Sequence, residues 1–530
     1  MRLLGFIAIL GIATAIGLNV SGALGPAGRD PIRTIYVGQA GAGNRSGRGG
    51  CANARPLSWL NAASNWGAGD GQIRPGVTVG LCGTITGQLE TKKSGSGGKP
   101  ITILFMANAK IAKGGAGCPS SGCISVAPSS EYITIDGGSN GVIENTDRGT
   151  GKLESAEPTT GIEARGCKHC TIEDLEIANL YVAVRGHGPG ATEIRGIQIR
   201  EGTPEYDTVN HDVFHDLGWA VNIEAAPTTS HIDVEHDTFY HLTHGFSPTA
   251  GFSGGSIGPV VFAHNHFYRN LNWEAPGDPN HVDGVHCYST DAKGYTPHYT
   301  GLYVYDNYIT MEGADNTAPI YIEGGSGEGS TPCADSTSNI WVFNNVLAYA
   351  KNVPEGADGL LGAFSGEPHL YNNTLLGNST TVRVCEVLND HVAAEVRFTN
   401  NLATRCKVFL EAEKERLAAG GVEHNLWADG GSGGTFVCIA ATGKREYTRA
   451  ELSSWQACLG NDMHSRMVSN ARLDLKEVVG VQGKPYAGSP ALAAGVNLTS
   501  LCPSTPARAL CRNINGEARP STGAWNIGAY

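Results

Sequence analysis

The chain has 530 residues, 41% hydrophobic and 17% charged, with 73 glycines. That composition supplies a core and many tight turns but few exposed helices, and it favours an all-β fold. A formal net charge of −12 argues against nucleic acid or an anionic membrane surface as a partner, because both are held by clustered Lys and Arg.

The first 23 residues read as an export signal. Arg2 supplies the positive start, no charged residue follows until Arg29, and Ser21-Gly22-Ala23 has the small residues that suit cleavage. The apolar run from Leu3 to Leu18 also has nearly the length of an uncleaved anchor, and no other stretch is apolar enough to span a membrane. The expected location is extracellular or periplasmic, with no membrane contact once the signal is removed. All 14 cysteines follow the signal, an even number that reads as disulfides in an exported chain. Near neighbours are Cys118 and Cys123, Cys167 and Cys170, Cys385 and Cys406, Cys438 and Cys458, and Cys502 and Cys511. The Cys167-Lys-His-Cys170 spacing lacks the second matching pair that a zinc site needs, so it reads as a local staple and no metal is assigned.

Residues 24–77 read as an N-terminal cap and lead-in, 78–427 as the body of the fold, and 428–530 as an irregular C-terminal cap. The body is decided by a repeat. Six segments share an apolar residue, two variable residues, Asn or Asp, one variable residue and a second apolar residue. They are Val234-Glu-His-Asp237-Thr-Phe239, Phe262-Ala-His-Asn265-His-Phe267, Val304-Tyr-Asp-Asn307-Tyr-Ile309, Val342-Phe-Asn-Asn345-Val-Leu347, Leu370-Tyr-Asn-Asn373-Thr-Leu375 and Phe398-Thr-Asn-Asn401-Leu-Ala403. The steps from Asp237 onward, through Asn425, are 28, 42, 38, 28, 28 and 24 residues. A constant motif with variable insertions is what stacked coils of a solenoid give. The Asn or Asp is expected to sit in a turn, where it tolerates left-handed backbone angles and bonds from coil to coil. Phe214, Phe239, Phe267, Ile309, Leu347 and Leu375 are expected to stack as an inward column.

With these repeats, the lead-in Thr34-Ile-Tyr-Val37 and the close at Ile527-Gly-Ala-Tyr530, the chain resembles the pectate-lyase-like superfamily. The resemblance implies a single-stranded right-handed parallel β-helix. Members cleave polysaccharides by hydrolysis or elimination, epimerise them, or act as adhesins, so the fold alone does not name a reaction. The superfamily's strand order implies that 182–185, 219–224, 282–288, 319–323, 360–364 and 382–386 line the groove. Two long loops, 269–280 and 289–298, flank the strand His281-Val-Asp-Gly-Val-His286, and long loops on a rigid scaffold are where sites gather.

That strand resembles the Asn-Thr-Asp-Gly pattern of polygalacturonase-type hydrolases. Asp283 matches the catalytic Asp of the pattern, while His281 and Val282 depart from it. Period-two alternation puts Glu224, Tyr321 and Glu323 on the same face. With rungs about 4.8 Å apart, Asp283 and Glu323 are expected roughly 5–7 Å from each other, a spacing that suits an acid paired with a nucleophile or base. The catalytic candidates are Asp283, His286, Glu323, Tyr321 and His281; the substrate-binding candidates are Glu224, Asn222, Lys293 and Tyr288. Paired acids also suit calcium, which leaves that ion open as a cofactor. Eleven of the 17 histidines fall between His211 and His298, and His211, His236 and His264 share one repeat position, which reads as stacking. The expected function is a monomeric enzyme that cleaves a polysaccharide, leaning to hydrolysis by paired carboxylates. The alternatives are β-elimination with His, Tyr or Lys as base, and a non-catalytic glycan-binding or adhesive protein.

Overall fold

The computed structural model describes residues 34–114, 117–146, 159–180, 194–225, 229–250, 256–271, 282–289, 296–312, 318–324, 332–349, 359–378, 385–388, 395–502 and 506–530. The signal segment 1–23 lies outside these residues, as do His281, Lys293 and the candidate groove strand 182–185. No helix among the described residues is long and apolar enough to cross a membrane.

Strand follows strand in parallel register, each pairing with the strand one coil later, so the fold is a parallel β-helix. Pairing begins within the lead-in, where Thr34–Gly38 lies beside Thr78–Cys82. It continues past residue 428 to Arg466–Val468, beside Leu426–Ala428. One sheet carries the Asn/Asp turn into the next along a continuous ladder. The backbone N–H of Asp237 donates to Asn265 Oδ1, that of Asn265 to Asn307, that of Asn307 to Asn345, that of Asn345 to Asn373 and that of Asn373 to Asn401, at 2.8–3.1 Å. The side-chain amides also donate backward, as Asn345 Nδ2 does to Val304 O at 2.9 Å. In a buried turn this satisfies groups that water cannot reach.

The left-handed residue of each turn is not the ladder residue but the one before it: His236, His264, Asp306, Asn344, Asn372 and Asn400 all have φ between 52° and 63°. The ladder position is therefore conserved in type along the chain for its amide bonds rather than for backbone tolerance. The preceding position takes the strain and turns its side chain outward, where His211, His236 and His264 stack with ring centroids 5.3 and 4.9 Å apart. Inside, Phe214, Phe239, Phe267, Ile309, Leu347 and Leu375 are fully buried in the expected column.

At the far end, the hairpin of Thr435–Ala440 and Gly443–Thr448 and the helix Leu452–Leu459 close over the last coils. Trp455 stacks 4.5 Å from Phe436, and Cys438 is bonded to Cys458. The rest of the C-terminal region does not stay at that end. It runs back along the flank, setting Ile514, Ile527 and Tyr530 against Tyr308, Val346 and Leu402, and Trp525 against Phe343 and Tyr371. Asn372 Nδ2 donates to Asn526 O and Gly528 O, so part of the turn polarity is met by this returning segment. All 14 cysteines form disulfides, including the five near-neighbour pairs together with Cys51–Cys82 and Cys287–Cys333.

Candidate functional site

Four consecutive groove strands carry one local pattern of a polar or aromatic residue, then small, apolar and polar residues. It reads Arg195-Gly196-Ile197-Gln198, Trp219-Ala220-Val221-Asn222, His244-Gly245-Phe246-Ser247 and Asp283-Gly284-Val285-His286. Register pairs Arg195 with Trp219, Trp219 with His244, and His244 with Asp283. The second position faces the interior. A Cβ on Gly245 would lie 2.5 Å from the Phe267 ring, and one on Gly284 would lie 2.8 Å from Ile309 and 2.5 Å from Pro319 O. Two neighbouring residues, Gly284 and the buried Val285, thus both point inward. Strict alternation is broken, and Asp283 and His286, three residues apart, reach the same outer face.

There they meet. Asp283 Oδ2 lies 3.5 Å from His286 Nδ1 and 3.7 Å from His244 Nε2, and the two imidazole nitrogens are 3.1 Å apart. The three residues are only 2%, 5% and 8% exposed in the order Asp283, His286, His244. Asp283 Oδ1 accepts the backbone N–H of Ala318 at 2.8 Å, which fixes the carboxylate. On the other side of the ring, His286 Nε2 is 3.8 Å from Glu323 Oε2. Glu323 is held by its own backbone, through its N–H to Cys287 O at 3.0 Å and through its O to the N–H of Cys333 at 2.9 Å. The Cys287–Cys333 disulfide closes that bracket directly beside His286. Tyr288 and Tyr321 pack around the His286 ring at 4.8 and 5.5 Å. Trp219 meets His244 edge-on at 5.9 Å.

No family model matches the chain, and no curated protein does. Solved structures that it is similar to include pectate lyase Pel9A, at 15% identity and TM-score 0.35, covering 63% of this chain and 79% of that one. Others are the PL6 family alginate lyase AlyGC, at 14% identity and TM-score 0.35 over 71% of this chain and 47% of that one, and the Yersinia enterocolitica family 28 exopolygalacturonase, at 12% identity and TM-score 0.34 over 78% and 74%. At these identities no residue role passes from one chain to another.

Of the residues singled out by sequence, Asp283, His286, Glu323, Tyr321 and Tyr288 come together. Asn222 and Glu224 do not join them. They lie on earlier rungs, where Asn222 is buried between Arg195 Nε at 3.1 Å and Ser247 O at 3.2 Å, and Glu224 accepts from Gln198 at 3.0 Å. The His286 imidazole lies against both carboxylates, with Nδ1 toward Asp283 and Nε2 toward Glu323. His244 and Trp219, in contact with the cluster, and Arg195, whose guanidinium lies 5.0 Å over the Trp219 ring, were not among the candidates.

Proposed function

We propose that this chain is an exported carbohydrate-active enzyme that cleaves an acidic polysaccharide by β-elimination at the cluster around His286. The observation that carries the reading is the place of that imidazole, between Asp283 at 3.5 Å and Glu323 at 3.8 Å. Hydrolysis by two carboxylates needs open space of about 5–9.5 Å between them for the scissile bond. Here a ring fills that space, and Asp283 is nearly buried.

Elimination needs no second carboxylate and no water. A base removes the proton from the carbon beside the sugar's carboxyl group, that electron pair forms a C=C bond, and the glycosidic C–O bond breaks as its oxygen gains a proton. Glu323, with His286 Nε2 beside it, is the proton-accepting group at the groove surface. Tyr321 is the donor to the departing oxygen. Trp219 and Tyr288 supply aromatic surface for sugar rings. Export is supported by seven disulfides, which persist in oxidising compartments.

The test is product analysis on a panel of acidic and neutral polysaccharides. New reducing ends together with the ultraviolet absorbance of an unsaturated sugar support elimination. Reducing ends without that absorbance replace it with hydrolysis, and an absence of products on every substrate removes the enzyme reading.

A further inference from the structure

We infer that His244, Asp283 and His286 hold a divalent transition-metal ion of the zinc type at the floor of the groove. His244 Nε2, Asp283 Oδ2 and His286 Nδ1 form a triangle with sides of 3.1, 3.5 and 3.7 Å. Three ligands of a tetrahedral ion at about 2.0–2.2 Å lie about 3.3–3.6 Å from one another. One side of the triangle falls in that range and the other two lie within about 0.2 Å of it. All three donors sit on rungs locked in register, His244 opposite Asp283, and none stands on a loop.

The outer sides of the ligands are braced as metal ligands are. Asp283 Oδ1 takes the Ala318 N–H at 2.8 Å, which leaves Oδ2 turned toward the two rings. His286 Nε2 faces the Glu323 carboxylate at 3.8 Å, the carboxylate–histidine arrangement that orients a ring and raises its basicity. With an ion on Nδ1, the Nε2–H of His286 points to Glu323 and leaves Glu323 as the proton acceptor.

The donor set selects the ion. Two imidazole nitrogens and one carboxylate oxygen suit zinc and its first-row neighbours, whereas calcium asks for six to eight oxygens. Three protein ligands leave a fourth position for a substrate oxygen or water, which is the form of a catalytic rather than a structural site. The other convergent groups fit less well. Cys167 and Cys170, beside Asp207, are joined in a disulfide. Glu423, His424 and His464 converge near the far end, but the His464 side chain is 67% exposed.

What the ion does rests on the cleavage reading above; whether it binds does not, so the experiment reads binding alone. The full-length folded protein is stripped with a chelator and titrated calorimetrically with zinc chloride, and separately with cobalt, whose visible spectrum reports tetrahedral coordination. The expected result is one tight site that His244→Ala and Asp283→Asn each weaken by at least about 100-fold, more than the loss of an outer partner costs. His464→Ala keeps it. Zinc also raises the melting temperature of the wild type but not of His244→Ala. His244→Asn is the replacement if His244→Ala does not fold. Absence of zinc binding, unchanged affinity in folded His244 variants, or loss that follows His464→Ala overturns the proposal. Zinc binding in a protein that cleaves no polysaccharide sinks the cleavage reading and leaves the metal site standing.

Discussion

The imidazole of His286 reaches the carboxylate of Glu323, Nε2 to Oε2 at 3.8 Å, across the gap between two successive groove strands. The Cys287–Cys333 disulfide and two backbone hydrogen bonds fix the backbone of Glu323 beside His286. Glu323→Gln therefore keeps the shape of the site and removes its base. We expect turnover to fall by at least about 100-fold, with the melting temperature nearly unchanged, since a partly exposed carboxylate contributes little packing. Steady-state kinetics and a thermal melt on the same preparation check both halves.

Gly284 supports a second expectation. A Cβ there would meet Pro319 O at 2.5 Å and Ile309 at 2.8 Å, so Gly284→Ala forces the strand outward at the residue that follows Asp283. Overpacking of this kind costs about 1–3 kcal/mol, and the shift moves Asp283 against His286. Chemical denaturation measures the first effect and turnover the second. Full activity in Gly284→Ala would show that the placement of Asp283 does not depend on this glycine.

The ladder and the site differ in how far they were legible. A repeat of apolar, Asn or Asp, apolar residues is local in sequence and recurs over six coils, so stacking and the inward column follow from it. Asp283 and His286 were legible as polar groups in an otherwise small and apolar strand, whereas His244 lay on a strand that loop order did not put in the groove. Alternation of period two puts Asp283 and His286 on opposite faces; the small residue at the second strand position returns them to one face. The same four-residue pattern occurs at His244-Gly245-Phe246-Ser247, and aligning on it, rather than on loop order, brings His244 beside Asp283. Burial of Asn222 and its bonds to Arg195 and Ser247 carried no such mark in the sequence.

Asn345 tests the division between scaffold and site. Its Oδ1 accepts the N–H and Nδ2 of Asn307 at 3.1 and 2.9 Å, and its Nδ2 donates to Val304 O and Asn373 Oδ1 at 2.9 and 3.0 Å. Asn345→Ala strands several buried groups at once. The expected loss is on the order of 2–4 kcal/mol, read as a lower melting temperature, while the turnover of the protein that remains folded stays close to wild type.

The last expectation concerns two carboxylates where the ladder otherwise carries amides. Asp212 Oδ1 accepts the Leu175 N–H and Asp237 Oδ1 the Asp212 N–H, each at 2.7 Å. The second oxygen of each is buried without a hydrogen-bond partner among the described residues. At the next coil Asn265 uses the corresponding Nδ2 to donate to Val234 O at 2.9 Å. Burial pushes both acids well above the usual carboxylate range, and the neighbouring Asp212 charge pushes Asp237 further. The folded state therefore binds protons that the unfolded state releases near pH ~4. The stability that goes with those protons is complete below that pH and is lost as pH rises through the elevated folded values. Asp212→Asn and Asp237→Asn remove the titrating group and supply the missing donor. We expect each to raise the melting temperature at neutral and mildly alkaline pH, and to change it little well below pH ~4, where the wild-type acids are protonated in both states. Melting curves across that range decide the matter: equal shifts at both ends would mean that the amide gains only a hydrogen bond, and a fall at neutral pH would mean that the folded chain holds these acids ionised.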